Sequence, residues 1–246
     1  MRTPPPREPA GSFGSGFGRL LCALLLLALA APAAAQRRSA VSTEVSVGAV
    51  AARPGGEFRR TMGDGYGASL RSVQRLHALP WLALRMEGGL LLQDLRRDSV
   101  PGSAGESQRV DQVTSNTLLF VGVGPQVGVT RGPVRPYAHA FAGAHYLVTD
   151  AAYEGYVGGG RLEYGGRSFE DAAWSWGGGA GVYVPLGRGR RAVALDLGAT
   201  YRFGGEATFL TDEIVTIGPN VLAGEMVSGR TDMLVVQLGV AFGAGR

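Results

Sequence analysis

Three histidines, His77, His139 and His145, carry the side chains best suited to proton transfer near neutral pH. A Ser–His hydrolase would need one of them beside a serine, with a third group orienting the ring. None of the motifs that mark such sites, G-x-S-x-G, H-E-x-x-H or S-x-x-K, occurs in the chain. His139 and His145 are six residues apart, about 20 Å along an extended strand, too far to share a metal. All 24 basic residues are arginine, so lysine Schiff-base and Walker-type phosphate chemistry are excluded. The single cysteine, Cys22, rules out a disulfide framework and a cysteine-rich zinc site.

Two other patterns invite a ligand and lack the context for one. The run Gly177-Gly178-Gly179-Ala180-Gly181 sits between tryptophans in a strand-like segment with no helix after it, unlike a phosphate loop. Asp150, Glu154, Glu163, Glu170 and Asp171 offer hard oxygen ligands, but their spacing matches no calcium-loop motif. The arginines are scattered among 20 acids at a net charge of +4 and form no basic stripe, so nucleic acid is not an expected partner. No catalytic residue, cofactor or metal is expected.

The remaining ionisable candidates acquire meaning only from the elements that carry them. Arg2, Arg7 and Arg19 precede a short apolar run, 20–31, that ends in Ala33-Ala34-Ala35. That order reads as a secretory signal over 1–35, cleaved before Gln36. The run is too short for the ~20 residues of a transmembrane helix. Removing it takes away three arginines and one glutamate and lowers the net charge from +4 to +2.

Residues 36–246 show alternation of period two and no sustained helical period, the signature of half-buried strands. Eight strands are predicted, over 41–51, 65–76, 81–93, 111–129, 136–148, 172–186, 192–203 and 231–242. The connections 52–64, 94–110, 149–171 and 204–230 are long, whereas 77–80, 130–135 and 187–191 are short. Long and short connections therefore fall at opposite ends. Along most strands one face is Leu-, Val- and aromatic-rich and the other is Gly and Ser with a few charges. For 136–148 both faces are small or aromatic, and alternation leaves the inward one open. The charges on the small-residue face are Glu44, Arg71, Arg85, Glu87, Asp196 and Arg202, three acids against three arginines.

A soluble barrel would turn its apolar face inward and carry many charges outside. Here the second face has few charges, and its small residues suit the crowded interior of an eight-stranded barrel. Forty glycines, about 16% of the chain against an ordinary ~7%, fit that interior and show no collagen period. Tyr66, Trp81, Tyr146, Trp174, Trp176, Tyr201, Phe203 and Phe242 lie near strand ends and are assigned to the apolar face, where a bilayer's interfacial girdles would sit. The predicted fold is an eight-stranded antiparallel up-and-down transmembrane β-barrel. Its inward charges must pair, which predicts a salt-bridged plug; a narrow solute path is the alternative.

The segments WLALRMEGGLLLQD (81–94), FVGVGPQVGV (120–129), GPVRPYAHAFAGAHY (132–146) and GAGVYVPLGRGRRAVALDLGATYRF (179–203) resemble the small bacterial outer-membrane β-barrel superfamily, the OmpA/OmpX/OmpW-like proteins. The resemblance is one of pattern over 41–242. It implies residence in the outer membrane, with long loops outside and both termini in the periplasm. Outer-membrane lipid and lipopolysaccharide are the implied surroundings, and a structural or surface-interaction role for a monomer is the implied function. Phe242 takes the place of the terminal aromatic that the barrel-assembly machinery reads. An outer-membrane lipid hydrolase is a remote alternative, since His77 falls in a predicted periplasmic turn, away from the outer leaflet.

Overall fold

The computed structural model describes residues 41–76, 78–101, 109–157, 160–187, 193–216 and 222–243. The predicted signal segment, Cys22 and His77 lie outside them. The eight strands that close the barrel are β1 (Val41–Pro54), β2 (Gly65–Leu76), β3 (Leu79–Pro101), β4 (Arg109–Gly128), β5 (Arg135–Val157), β6 (Gly160–Pro185), β7 (Val193–Gly204) and β10 (Met233–Phe242). They follow one another in the order β1-β10-β7-β6-β5-β4-β3-β2, each antiparallel to its neighbours. Val45 opposite Phe242 and Pro54 opposite Met233 mark the ends of the closing seam. The expected eight-stranded antiparallel barrel is the fold that forms, and no edge strand is left in its wall.

Three of the expected long loops contain further strand. β3 and β4 continue as a ribbon to Pro101 opposite Arg109, and β5 and β6 to Val157 opposite Gly160. Between β7 and β10 the chain makes a separate hairpin, β8 (Glu206–Thr216) with β9 (Leu222–Arg230). Gly205 N–H donates to the Trp174 carbonyl at 2.7 Å and Thr208 N–H to Asp171 Oδ2 at 2.6 Å, which ties the hairpin to β6. A ladder already in register continues through backbone hydrogen bonds alone. It therefore outruns the apolar alternation that signals a strand in sequence.

The wall is sorted by residue size. Outward positions carry Val47, Leu84, Leu90, Leu92, Val123, Val127, Leu197, Leu234, Val236 and Leu238, all exposed. Inward positions carry the charges, large rings and glycines. On β5 the inward face is Tyr137, His139, Phe141 and His145, all buried, with Ala138, Ala140 and Ala142 exposed outside. Glycines give these rings space. A Cβ at Gly181 would strike the Tyr137 ring, and one at Gly89 the Phe120 ring. Alternating large and small inward residues is how a narrow eight-stranded cylinder fills its middle.

Candidate functional site

Among the described residues the lumen is where ionisable groups concentrate away from solvent, and it is layered along the barrel axis. Near the short-turn end, the Tyr137 and Tyr183 rings lie 4.7 Å apart, with the Arg135 guanidinium 5.8 Å from the Tyr183 centroid. Glu44, fully buried on β1, pairs with Arg75 Nη1 at 2.9 Å.

Two networks occupy the middle. In the first, Asp196 of β7 accepts from Arg71 Nη1 at 2.5 Å, from the Ser46 hydroxyl at 2.8 Å and from the Tyr137 hydroxyl at 2.8 Å. Arg71 Nη2 also donates to Gln237 Oε1, and its Nη1 lies 3.2 Å from the Tyr137 hydroxyl. In the second, Glu87 of β3 accepts from Arg85 Nε at 2.8 Å and Nη2 at 2.5 Å on one oxygen, and from Arg202 Nη2 on the other. Arg85 Nη1 reaches Gln126 Oε1 at 3.3 Å. The Arg202 guanidinium lies 4.2 Å from the Phe120 centroid and 4.3 Å from that of Phe141, held between two phenyl rings. Cation–π attraction adds to its ion pair there, and the two rings take the place of solvent beside it.

Toward the long-loop end the filling turns apolar. Val50, Leu91, Leu118, Phe120, Met233 and Val235 meet Phe58 and Met62 in one buried cluster. Phe58 begins the single helical turn α1 (Phe58–Thr61) in the β1–β2 connection, and Met62 follows it. That connection therefore turns inward and sets two large apolar side chains among the inward residues of β1, β3, β4 and β10.

Five of the six ionisable residues singled out from the sequence lie in these two networks and the sixth, Glu44, pairs separately with Arg75; the first network links strands distant in the chain, Ser46 and Asp196 being 150 residues apart. Their expected three-to-three balance needs correction. Arg75 joins Glu44, so these ion pairs use four arginines and three carboxylates, and Arg135 is buried beside Tyr183 as well. Sequence reasoning did not single out Arg75, Gln126, Gln237 or Tyr137. Gln237 does occupy a small-residue-face position of the alternation, which was the available signal, whereas Tyr137 lies on the strand whose inward face alternation leaves open. Nothing local announces the two rings that enclose Arg202.

The histidines stay structural in geometry. His139 Nε2 meets the Thr200 hydroxyl at 3.3 Å and His145 Nδ1 the Thr231 hydroxyl at 3.1 Å, both inside the wall. Neither has a carboxylate orienting it in a nucleophile–base arrangement, and the described residues contain no group of three potential metal ligands.

On the outer surface Tyr66, Trp174, Trp176, Tyr201 and Phe242 are exposed, Trp174 at 82%. Trp176 stacks on Phe203 at 4.4 Å, and Tyr201 meets Phe203 edge-on at 4.7 Å, forming an aromatic cluster near the long-loop end of β6 and β7. Two aromatics depart from the sequence-based placement. Tyr146 has outward parity but is buried, and its hydroxyl donates to Glu170 Oε2 at 2.5 Å. It lies where β5 and β6 rise into their ribbon and the β8–β9 hairpin packs against them. Trp81 is exposed at the short-turn rim, but alternation puts it in the series of Ala83 and Arg85, not that of Leu82 and Leu84.

The chain is similar to several solved structures. Neisserial surface protein A matches at 13% identity and a TM-score of 0.41, over 83% of this chain and 97% of that one. The outer membrane protein OprG from Pseudomonas aeruginosa matches at 12% and 0.45, over 82% and 95%. A major outer membrane protein from Thermus thermophilus matches at 16% and 0.42, over 83% and 99%. No family model and no curated protein matches the chain.

Proposed function

We propose that this chain is an integral barrel of the bacterial outer membrane with a structural and surface-interaction role and a sealed lumen. The observation that carries the reading is the inverted polarity of the wall. Leucines, valines and tryptophans are exposed around the outside, while Glu44, Arg71, Arg85, Asp196 and Arg202 are buried within. In water that arrangement would expose an apolar surface far larger than a soluble monomer carries. In lipid it is the low-energy sorting, and a closed ladder leaves no wall backbone group unpaired in hydrocarbon. Leu234 to Phe242 on β10 covers about 27 Å along the strand, or about 20 Å of height at a ~40° tilt, against an apolar band of ~25 Å.

Export by a signal cleaved before Gln36 would deliver the chain to the periplasm. The short turns and both termini would face that compartment, with the ribbons and the β8–β9 hairpin outside. Lipid and lipopolysaccharide would surround a monomer, and the assembly machinery would read Phe242 during insertion. The apolar layer under α1 and the charge networks below it together support closure, and the described residues contain no hydrolytic arrangement.

Membrane fractionation, with the electrophoretic shift between boiled and unboiled detergent samples, tests the embedding. A soluble, shift-free protein would overturn it. Planar-bilayer recording tests the seal. The expected trace is silent, whereas discrete openings abolished by Arg85→Ala or Glu87→Ala would replace the sealed barrel by a narrow solute channel.

A further inference from the structure

The two mid-lumen networks leave a small cavity between them, lined by Ser69, Arg71, Arg85, Glu87, Thr200, Arg202 and Gln237, with Val50, Phe120 and Val235 beside it. Its volume of about 10 Å³ seats one particle of about water size. Three arginines and one carboxylate line it, and with Asp196 beside Arg71 the local charge is still +1.

The donors are also in surplus. Arg202 Nε and Nη1, Arg71 Nε and the Ser69 hydroxyl are buried and meet no acceptor among the described residues. The Phe120 and Phe141 rings lie against the Arg202 guanidinium, but a phenyl ring offers its N–H bonds no lone-pair acceptor. A buried cation surplus and unmet donors are both costly in a low-dielectric interior. One small anion among these groups would neutralise the surplus and accept from several of them at once.

We propose that this cavity is a binding site for a single halide-sized anion, chloride under ordinary conditions, enclosed when the barrel closes. The size excludes phosphate and sulfate, and admits a halide when the lining side chains give by a few tenths of an ångström. Water alone would meet some of the donors but would leave the charge uncompensated.

The test is reversible urea unfolding and refolding of the mature chain in lipid vesicles, in sodium chloride against sodium gluconate at equal ionic strength. Chloride at ten times its dissociation constant is expected to raise the folded-to-unfolded ratio at fixed urea roughly tenfold, along a saturable curve. Gln237→Glu, which places a carboxylate at the cavity wall without adding bulk, should match the chloride-loaded wild type in gluconate and lose the anion response. Arg202→Met, which removes the surplus charge, should lose the response as well. A bromide-grown crystal should show one anomalous peak among Ser69, Arg71 and Arg202, a readout that needs neither variant to fold. Identical curves in the two salts, an anion response that survives Arg202→Met, or a cavity occupied by water alone in bromide would each overturn the site. The electrophoretic shift and membrane fractionation do not depend on the anion, so failure here is separable from failure of the membrane assignment.

Discussion

Replacing Asp196 by asparagine tests whether the lumen is dry. The side chain keeps its shape and loses its charge, so Arg71 keeps a hydrogen-bonding neighbour but no counter-ion. Both groups are almost fully buried, at 3% and 0% side-chain exposure, and their contact is 2.5 Å. Removing one partner from such a pair costs about 3–5 kcal/mol, because the other charge stays buried. At 1.36 kcal/mol per decade the folding constant falls between about a hundredfold and several thousandfold. The Arg53–Asp64 pair is the internal control. It spans 3.5 Å with side chains 61% and 45% exposed, and Asp64→Asn should cost about 0–1 kcal/mol. The double variant Arg71→Met/Asp196→Leu removes both charges and should regain much of the loss. Urea titrations followed by tryptophan fluorescence in vesicles measure all three. Near-equal costs for Asp196→Asn and Asp64→Asn would mean that bulk water reaches the network, and the sealed lumen would be refuted.

Leu238→Arg on the outer face should cost about 2–4 kcal/mol in vesicles if that face meets hydrocarbon, and under about 0.5 kcal/mol if it meets water. Phe58→Ala, which empties a fully buried ring position beneath α1, should cost about 3–5 kcal/mol by the same titration. Gly67→Ala should sharply reduce the yield of heat-modifiable folded barrel, because its Cβ would collide with the Leu90 backbone carbonyl, whereas Gly187→Ala, with open space around it, should fold as the wild type.

Period-two alternation is local, and it makes eight strands legible and groups Glu44, Arg71, Arg85, Glu87, Asp196 and Arg202 by parity, residues that the structure places in the lumen. Side chains two apart in a strand share a face wherever the strand ends up. The ribbon extensions and the β8–β9 hairpin gave no such signal, since ladder hydrogen bonds are made by backbone common to every residue. Tyr146 shows the same limit from the other side: its parity is outward, yet neighbouring elements cover it.

What the sequence determined by itself is which residues share a face and that a closed, strand-built wall follows. Only the tertiary structure decided who pairs with whom across the lumen. Asp196 takes Arg71 and Ser46 because closing β1 onto β10 brings them to its level, and Tyr137 because β6 alone separates its strand from β7. Arg202 shares Glu87 with Arg85 and lies between Phe120 and Phe141, partners drawn from β3, β4 and β5. The height at which each side chain meets its opposite number is set by the stagger of a whole cylinder, and no local run of residues encodes that stagger.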